Sequence, residues 1–135
     1  MQKSFTLVEL IIVVVIIGIL VAFASPQFAV TKERALDKEA KAIISLIQAA
    51  EKIYKMEEGP YYPWPTGSTA NITNINNFLR LSLPAPATPQ WTYTVNSNTQ
   101  RVTATRRGGR RSWVTYFTST LDPTCTPAGG DTCPP

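Results

Sequence analysis

Histidine is absent from the 135-residue sequence, and cysteine occurs only twice. The first absence removes the side chain used most often for proton transfer near neutral pH and for metal ligation. The sequence also lacks a glycine-rich phosphate-binding motif and a distal pair of carboxylates spaced for acid–base catalysis. We therefore expect a protein that is not an enzyme and that holds no metal ion or cofactor.

The two cysteines, Cys125 and Cys133, lie close together near the C-terminus. In an exported protein such a pair indicates a disulfide, and the crosslink would restrain a tail that has little apolar surface to bury. Asp122 and Asp131 are the only carboxylates nearby, which is too few for a calcium site.

Concentrated charge is also scarce, because the net charge is only +4 and both signs mix over residues 32–58. The exception is the stretch RRGGRR at Arg106–Arg111. Four guanidinium groups on a protruding turn could grip phosphates, and a nearby aromatic ring could stack on a base. The candidates for contact with nucleic acid or a partner are Arg106, Arg107, Arg110, Arg111 and Trp113. The alternative is a charged hairpin tip that keeps a sheet edge soluble or contacts the next subunit.

One long hydrophobic run is present, from residue 5 to residue 24, and it contains a carboxylate, Glu9. Twenty helical residues span about 30 Å, the thickness of a bilayer core. The run is longer than the apolar part of a secretory signal, although Ala22-Phe23-Ala24 resembles a cleavage site. A plain membrane anchor gives Glu9 no role, whereas an anchor that also assembles into a polymer does.

The stretch SFTLVELIIVVVIIGILVAFASPQF resembles the N-terminal segment of type IV pilins and of type II secretion pseudopilins. The resemblance runs from Lys3 to Phe28 and is carried by Phe5, Thr6, Leu7, Glu9, Leu10, Gly18 and Pro26. It implies a leader peptide of residues 1–4, removed by a prepilin peptidase between Ser4 and Phe5, and methylation of the new Phe5 amine. Serine stands at position 4 where the family nearly always has glycine.

The resemblance also gives Glu9 a role in assembly. Cleavage before Phe5 would create a positive amine one helical turn from Glu9, and a buried carboxylate is tolerable only when paired. The family mechanism implies that the partner is the Phe5 amine of a neighbouring subunit, with Gly18 and Pro26 as further assembly residues. The alternative is a glutamate that snorkels to the lipid headgroups.

Beyond the membrane segment of residues 5–25, the pattern predicts that the same helix continues over residues 26–58 as an amphipathic half. Pro26 would bend this helix or mark the membrane boundary. Gly59 and Pro60 would end it. The predicted apolar face consists of Leu36, Ala40, Ile43, Ile44, Ile47, Ala50 and Tyr54. A mostly solvated face is predicted for Lys32, Glu33, Arg34, Asp37, Lys38, Glu39 and Lys41.

The distal half is rich in proline and turn residues up to residue 90. From Trp91 onward, apolar and polar residues alternate with a period of two. Residues 59–90 form a connection, within which INNFLRLSL suits a short helix or a strand. Packing on the domain is favoured over ligand binding for Tyr61, Tyr62 and Trp64. Residues 91–120 predict three antiparallel strands, the last two joined around RGGR, and residues 121–135 predict the disulfide loop.

These features together predict an α+β fold, in which a long N-terminal helix packs its amphipathic half against a small antiparallel sheet. The resemblance implies a pilin, a subunit of a helical homo-oligomeric filament that begins as an inner-membrane precursor of bacteria and ends at the cell surface. Its partners would be the prepilin peptidase, the pilus assembly machinery, and DNA or surfaces at the distal head. The alternatives are a type II secretion pseudopilin and a binding module on a single-span anchor that does not polymerise.

Overall fold

The computed structural model of the chain describes residues 5–65, 67–85, 89–109 and 111–134, without the side chains of residues 24–26. The chain divides into two compact units, Met1–Ala35 and Leu36–Pro135. One helix, α1 (Leu7–Glu58, 52 residues), contributes to both units.

In its described residues the first unit is helical and buries no large apolar side chain. Each large apolar side chain from Phe5 to Phe23 is at least 50% exposed. Among the described residues, no single helix is long and apolar enough to cross a membrane, whereas the segments Leu7–Phe23 and Gln27–Glu58 of α1 together meet that requirement by length and composition. The first unit therefore needs an apolar environment from outside the chain.

The second unit, hereafter the head, combines the distal part of α1 with a five-stranded antiparallel sheet. The strands follow one another in sheet order as in sequence: β1 (Ser68–Thr69), β2 (Trp91–Asn96), β3 (Arg101–Arg106), β4 (Arg111–Tyr116) and β5 (Thr124–Pro127). A short helix, α2 (Ile72–Leu79), lies between β1 and β2 in the chain. The α+β prediction is confirmed.

Alternation of apolar and hydroxyl side chains explains the sheet. Residues of one parity are buried against α1, as Val95 and its cross-strand partner Val102 illustrate. The threonines between them point to the opposite face, where Thr94 lies across from Thr103. From α1 the core receives Ala40, Ile44, Ile47 and Ala50, all on the predicted apolar face. Burial of these side chains stabilises the head, at about 25 cal/mol per Å² of apolar surface.

Strands β2, β3 and β4 are those expected from the period of two, but β1 and β5 were not expected. β1 has only two residues, and β5 is a Thr-Cys-Thr-Pro segment without apolar alternation. Both gain their strand structure from pairing with an existing edge, through Ser68 opposite Asn96 and Cys125 opposite Trp113. Such edge pairing depends on tertiary contact more than on local propensity.

The connection before β2 forms a helix rather than a strand. Asn71 is the N-cap of α2, and its Oδ1 accepts hydrogen bonds from the backbone N–H groups of Thr73 (2.9 Å) and Asn74 (3.2 Å). Ile75 and Leu79, one helical turn apart, are buried in the core. Capping and this apolar pair together explain the helix.

The end of α1 and the C-terminal disulfide are both as the sequence predicts. α1 ends at Glu58, and Gly59 follows with φ 94° and donates its N–H to the Lys55 carbonyl at 2.9 Å. Cys125 and Cys133 form a disulfide with their Cα atoms 5.9 Å apart, which confirms the predicted pairing.

Candidate functional site

The N-terminus of α1 forms a capping box around Thr6 and Glu9. The Thr6 N–H and hydroxyl both donate to Glu9 Oε2, at 2.9 and 2.8 Å, and the Glu9 N–H donates to Thr6 Oγ1 at 3.3 Å. This is the reciprocal arrangement of a Thr-x-x-Glu sequence, a signal that a search for membrane and assembly motifs overlooks. Glu9 is thus positioned by its own helix, and its Oε1 accepts no hydrogen bond from any described residue.

The other predicted site residues near the N-terminus make no comparable contacts in the described part of the chain. Phe5, 82% exposed, lies immediately before the cap. A Cβ placed on Gly18 would meet nothing within 4 Å, so the fold of the single chain does not require glycine there. α1 continues through Pro26, whose side chain is not described, and Ser4 lies outside the described residues.

The basic stretch is divided by the structure instead of forming one cluster. The turn between β3 and β4 is built on Gly108 (φ 86°) and Gly109 (φ 67°), a conformation that favours glycine. Arg107 is exposed on this turn, whereas Arg106 donates to Gln90 Oε1 at 2.9 Å and lies over the Trp91 ring at 5.5 Å. Arg110 lies outside the described residues.

Arg111 and Trp113 are buried, which corrects their assignment to an exposed contact surface. The Arg111 guanidinium forms a two-pronged ion pair with Asp37, through Nε–Oδ1 at 2.9 Å and Nη2–Oδ2 at 3.1 Å. Trp113 Nε1 donates to the same Oδ1 at 3.0 Å, and Arg111 Nη1 donates to Asp131 at 2.7 Å. Because a buried carboxylate must be paired, Asp37 draws both side chains inward. Asp37 is accordingly not part of a solvated face.

A second buried carboxylate, Glu51, was not predicted. It is fully buried, its Oε2 accepts the Tyr62 N–H at 3.0 Å, and its Oε1 has no partner among the described residues. Desolvation raises the pKa of Glu51 to about 8, and the Tyr62 hydrogen bond opposes that shift only in part. Glu51 follows Ile47 by four residues, which places it on the apolar face of α1, and this spacing indicates its burial.

The aromatic residues after α1 pack mainly on the head, as expected. The Tyr62 ring stacks on Phe78 at 4.8 Å, and the Tyr61 ring lies 4.6 Å from that of Phe117. Trp64 differs, since it is 66% exposed.

Described residues of the head line two concavities of note. One, of about 360 Å³, lies beside Trp91, Ile72 and Ile43. The other, of about 560 Å³, is an open groove between α1 and α2. Within the described ranges, no three acidic or cysteine side chains are grouped closely enough to hold a metal ion.

Comparison with known families and proteins gives matches over parts of this chain. Residues 1–25 match the family described as "Prokaryotic N-terminal methylation motif". The chain is 31% identical over 104 residues to the "Type IV major pilin protein PilA" of Myxococcus xanthus (strain DK1622), covering 65% of this chain and 47% of the relative. It is 36% identical over 76 residues to the "Type II secretion system core protein G" of Vibrio cholerae, covering 56% and 52%.

A third relative, the "Fimbrial protein" of Neisseria meningitidis, is 37% identical over 70 residues, which cover 52% of this chain and 39% of the relative. The chain spans about half the length, or less, of the curated relatives it matches. No solved structure gives a significant match.

The fold and the capped N-terminus define an α+β protein with a long exposed apolar helix and an N-terminal methylation motif. The matches are to type IV pilins and to type II secretion pseudopilins, and they support the family resemblance seen in the sequence.

Proposed function

We propose that the chain is the structural subunit of a type IV pilus-like filament, with a structural and not a catalytic role. The filament is a helical homo-oligomer, in which the apolar part of α1 is buried among its own copies. The observation that carries this proposal is the state of Glu9, a carboxylate fixed at the start of an exposed apolar helix, with one oxygen that accepts no hydrogen bond from any residue the structure describes. An external cation would complete its pairing.

That cation is the amine of Phe5 in a neighbouring subunit. A prepilin peptidase removes residues 1–4 by cutting between Ser4 and Phe5 and methylates the new amino group. The charge of the amine is kept after methylation, so the attraction to Glu9 persists. Gly18 fits the same assembly, because its lack of a side chain is not used within the chain and permits close approach of a second helix. Pro26 is the third residue assigned to this assembly.

The location of the protein changes during its life. The precursor is held in the inner membrane of a bacterium by the apolar segment of residues 5–25, together with the helical segment that follows it. The assembly machinery then transfers the subunit to a filament at the cell surface, where the disulfide is stable.

Replacement of Glu9 by glutamine tests the pairing. Glutamine can also serve in a capping box, so Glu9→Gln keeps the start of α1 while it removes the charge. We expect the variant to be cut and inserted normally but to yield at least about tenfold less sheared filament, since one lost ion pair of about 1.4 kcal/mol gives a factor of ten. Filaments at the wild-type level in Glu9→Gln would contradict the pairing.

The matched control is Thr6→Ser, which keeps the cap and the charge and should assemble normally. Mass spectrometry of the N-terminal peptide from sheared wild-type filaments gives an independent check. A peptide that begins at methylated Phe5 is expected. A peptide that begins at Met1, recovered from a monomer in detergent, would instead indicate an anchored binding module.

The second candidate is a pseudopilin, favoured by the similarity to the type II secretion core protein of Vibrio cholerae. The two candidates share the N-terminal chemistry and differ in where the filament ends. Immunogold labelling of intact cells separates them, because a pilus is labelled outside the cell and a pseudopilus is confined to the periplasm.

Contact with DNA or with surfaces at the head is a finer possibility for the filament. Among the described members of the set Arg106, Arg107, Arg111 and Trp113, Arg107 combines exposure with a charge that is not engaged by described neighbours. A single guanidinium is a weak phosphate site, because affinity for nucleic acid grows with the number of neutralised phosphates.

A further inference from the structure

The groove between α1 and α2 presents apolar surface that the head does not cover. Its floor includes Leu46 and Ile53, one heptad apart on α1, and Phe78 of α2, which is 53% exposed. These residues lie on a face of α1 different from that of Ile44 and Ile47, which pack on the sheet. The distal part of α1 is therefore apolar on a second face that folding alone does not use.

The rim of this groove is acidic at the end of α1. Glu57 and Glu58 occupy the last turn, where the helix already carries partial negative charge on its free carbonyl groups. Glu57 is paired at 3.2 Å with Arg80, the C-cap residue of α2, but Glu58 forms no ion pair with any described residue. Lys55, the cation of the last turn, lies over the Tyr61 ring instead, 4.3 Å from its centroid. A further cation would be favourable at Glu58.

The opposite end of the head carries the complementary charge. β4 begins at Arg111, which is bound to Asp37, and ends at Tyr116, whose carbonyl accepts from Gln48. The β3–β4 turn with Arg107 therefore lies at the Asp37 end of the head. Asp37 and Glu58 are about 31 Å apart along α1, at a rise of 1.5 Å per residue. Because Arg107 lies near the level of Asp37, Arg107 and Glu58 of the same chain cannot meet.

We infer that the α1–α2 groove of one copy receives the β3–β4 turn of a second copy, with the Arg107 guanidinium against Glu58. The methylene groups of Arg107 lie along Ile53 and the Phe78 ring, and the charged end reaches the rim. Gly108 and Gly109 have no side chains, so the described part of the turn is narrow where it enters the open groove of about 560 Å³. The second copy is thereby displaced by about 30 Å along the axis of α1.

The occupant is a second copy because the surfaces are complementary in charge and belong to opposite ends of the same molecule. A contact between two different patches is heterologous, and repetition of it generates an open helical polymer instead of a closed dimer. The inference rests on the proposed function and adds to it a second contact, in the head, beyond that of Glu9.

Charge reversal tests the contact in cells that assemble the wild-type chain. Arg107→Glu and Glu58→Lys should each lower the yield of sheared filament by about tenfold or more, and the double variant should recover most of it. Arg101→Glu is the matched control, because Arg101 is an exposed arginine at the other end of β3. Thermal melting of each full-length variant in detergent should remain unchanged, since both positions are exposed.

Disulfide trapping gives the geometry directly. A chain with Glu58→Cys and Arg107→Cys should form crosslinked ladders in filaments, and a crosslink within one chain is excluded because disulfides require Cα atoms within about 7 Å. Wild-type yield from Arg107→Glu, loss in Glu58→Lys that Arg107→Glu does not repair, or filaments without ladders would each overturn the contact. Absence of filaments from the wild-type chain would overturn the proposed function itself.

Discussion

At the scale of single residues, two carboxylates of α1 are buried in the head in different ways. Asp37 receives three hydrogen bonds, two from the Arg111 guanidinium and one from Trp113. Glu51 receives a single bond from the Tyr62 backbone and faces no cation among the described groups around it. Its titratable neighbours are Tyr54 and Tyr62, whose pKa values are raised by burial and by the nearby carboxylates.

Removal of the Asp37 charge should destabilise the head strongly. Asp37→Asn removes the two-pronged carboxylate partner of the buried Arg111, and breaking a buried pair costs about 3–5 kcal/mol. Urea unfolding of the full chain in detergent should show this loss. Asp131→Asn, at a half-buried site, should cost less than half as much. A loss in Asp37→Asn no larger than that in Asp131→Asn would contradict the central role of Asp37.

The raised pKa of Glu51 predicts that stability falls as pH rises. The folded state keeps the proton up to about pH 8, whereas the unfolded chain releases it near the ordinary value of 4.5, so folding binds a proton between these limits. We expect stability to decrease by roughly 2 kcal/mol from pH 5 to pH 8, less than about 1.4 kcal/mol per pKa unit would give, because the chain relaxes around a buried charge. Urea midpoints across this range measure the effect.

Glu51→Gln supplies the control for that experiment, since glutamine keeps the shape and the acceptor without the titration. Its stability should be nearly independent of pH over the same range. An equal decline in the variant and the wild type would assign the effect to other groups.

At the scale of elements, the C-terminal loop is fixed to the head in three ways. β5 pairs with β4, Cys125 is bonded to Cys133, and Asp131 is paired with Arg111. A segment with few buried apolar side chains is thus held by covalent, ionic and backbone contacts.

Loss of the disulfide should accordingly be tolerated better than loop closure alone suggests. The double variant Cys125→Ser, Cys133→Ser should lose about 1–2 kcal/mol, below the roughly 2.6 kcal/mol expected for a loop of this length, because the other two attachments remain. Urea unfolding measures the loss. Adding Asp131→Asn should then cost more than it does with the disulfide present, and strict additivity would show that the attachments are independent.

At the scale of the whole molecule, the features that could be predicted from the sequence are those that depend on residues close together in the chain. The methylation motif, the period-two strands β2 to β4 and the Gly59 stop are each local patterns. Asp37 and Arg111 are 74 residues apart, so no local pattern connects them. Arg111 was therefore grouped with its sequence neighbours on the hairpin, when in fact its partner is on α1.

The capped start of α1 is an intermediate case. Thr6 and Glu9 have the spacing of a capping box, but in an apolar run of membrane length a carboxylate also indicates pairing with a cation, so the sequence alone does not distinguish the two roles of Glu9. The edge strands β1 and β5 were missed for a different reason, because their strand structure depends on neighbours supplied by the fold.

The two polar attachments between β4 and α1 have a mechanical consequence. Asp37 holds the first residue of β4, and Gln48, about 16 Å further along the helix, holds its last residue. A pull along α1 loads both attachments at once, in shear, and so the sheet cannot be peeled away from one end. β4 is thus fixed to α1 at both of its ends. Such an attachment would suit a subunit of the proposed filament that is pulled along its helix axis.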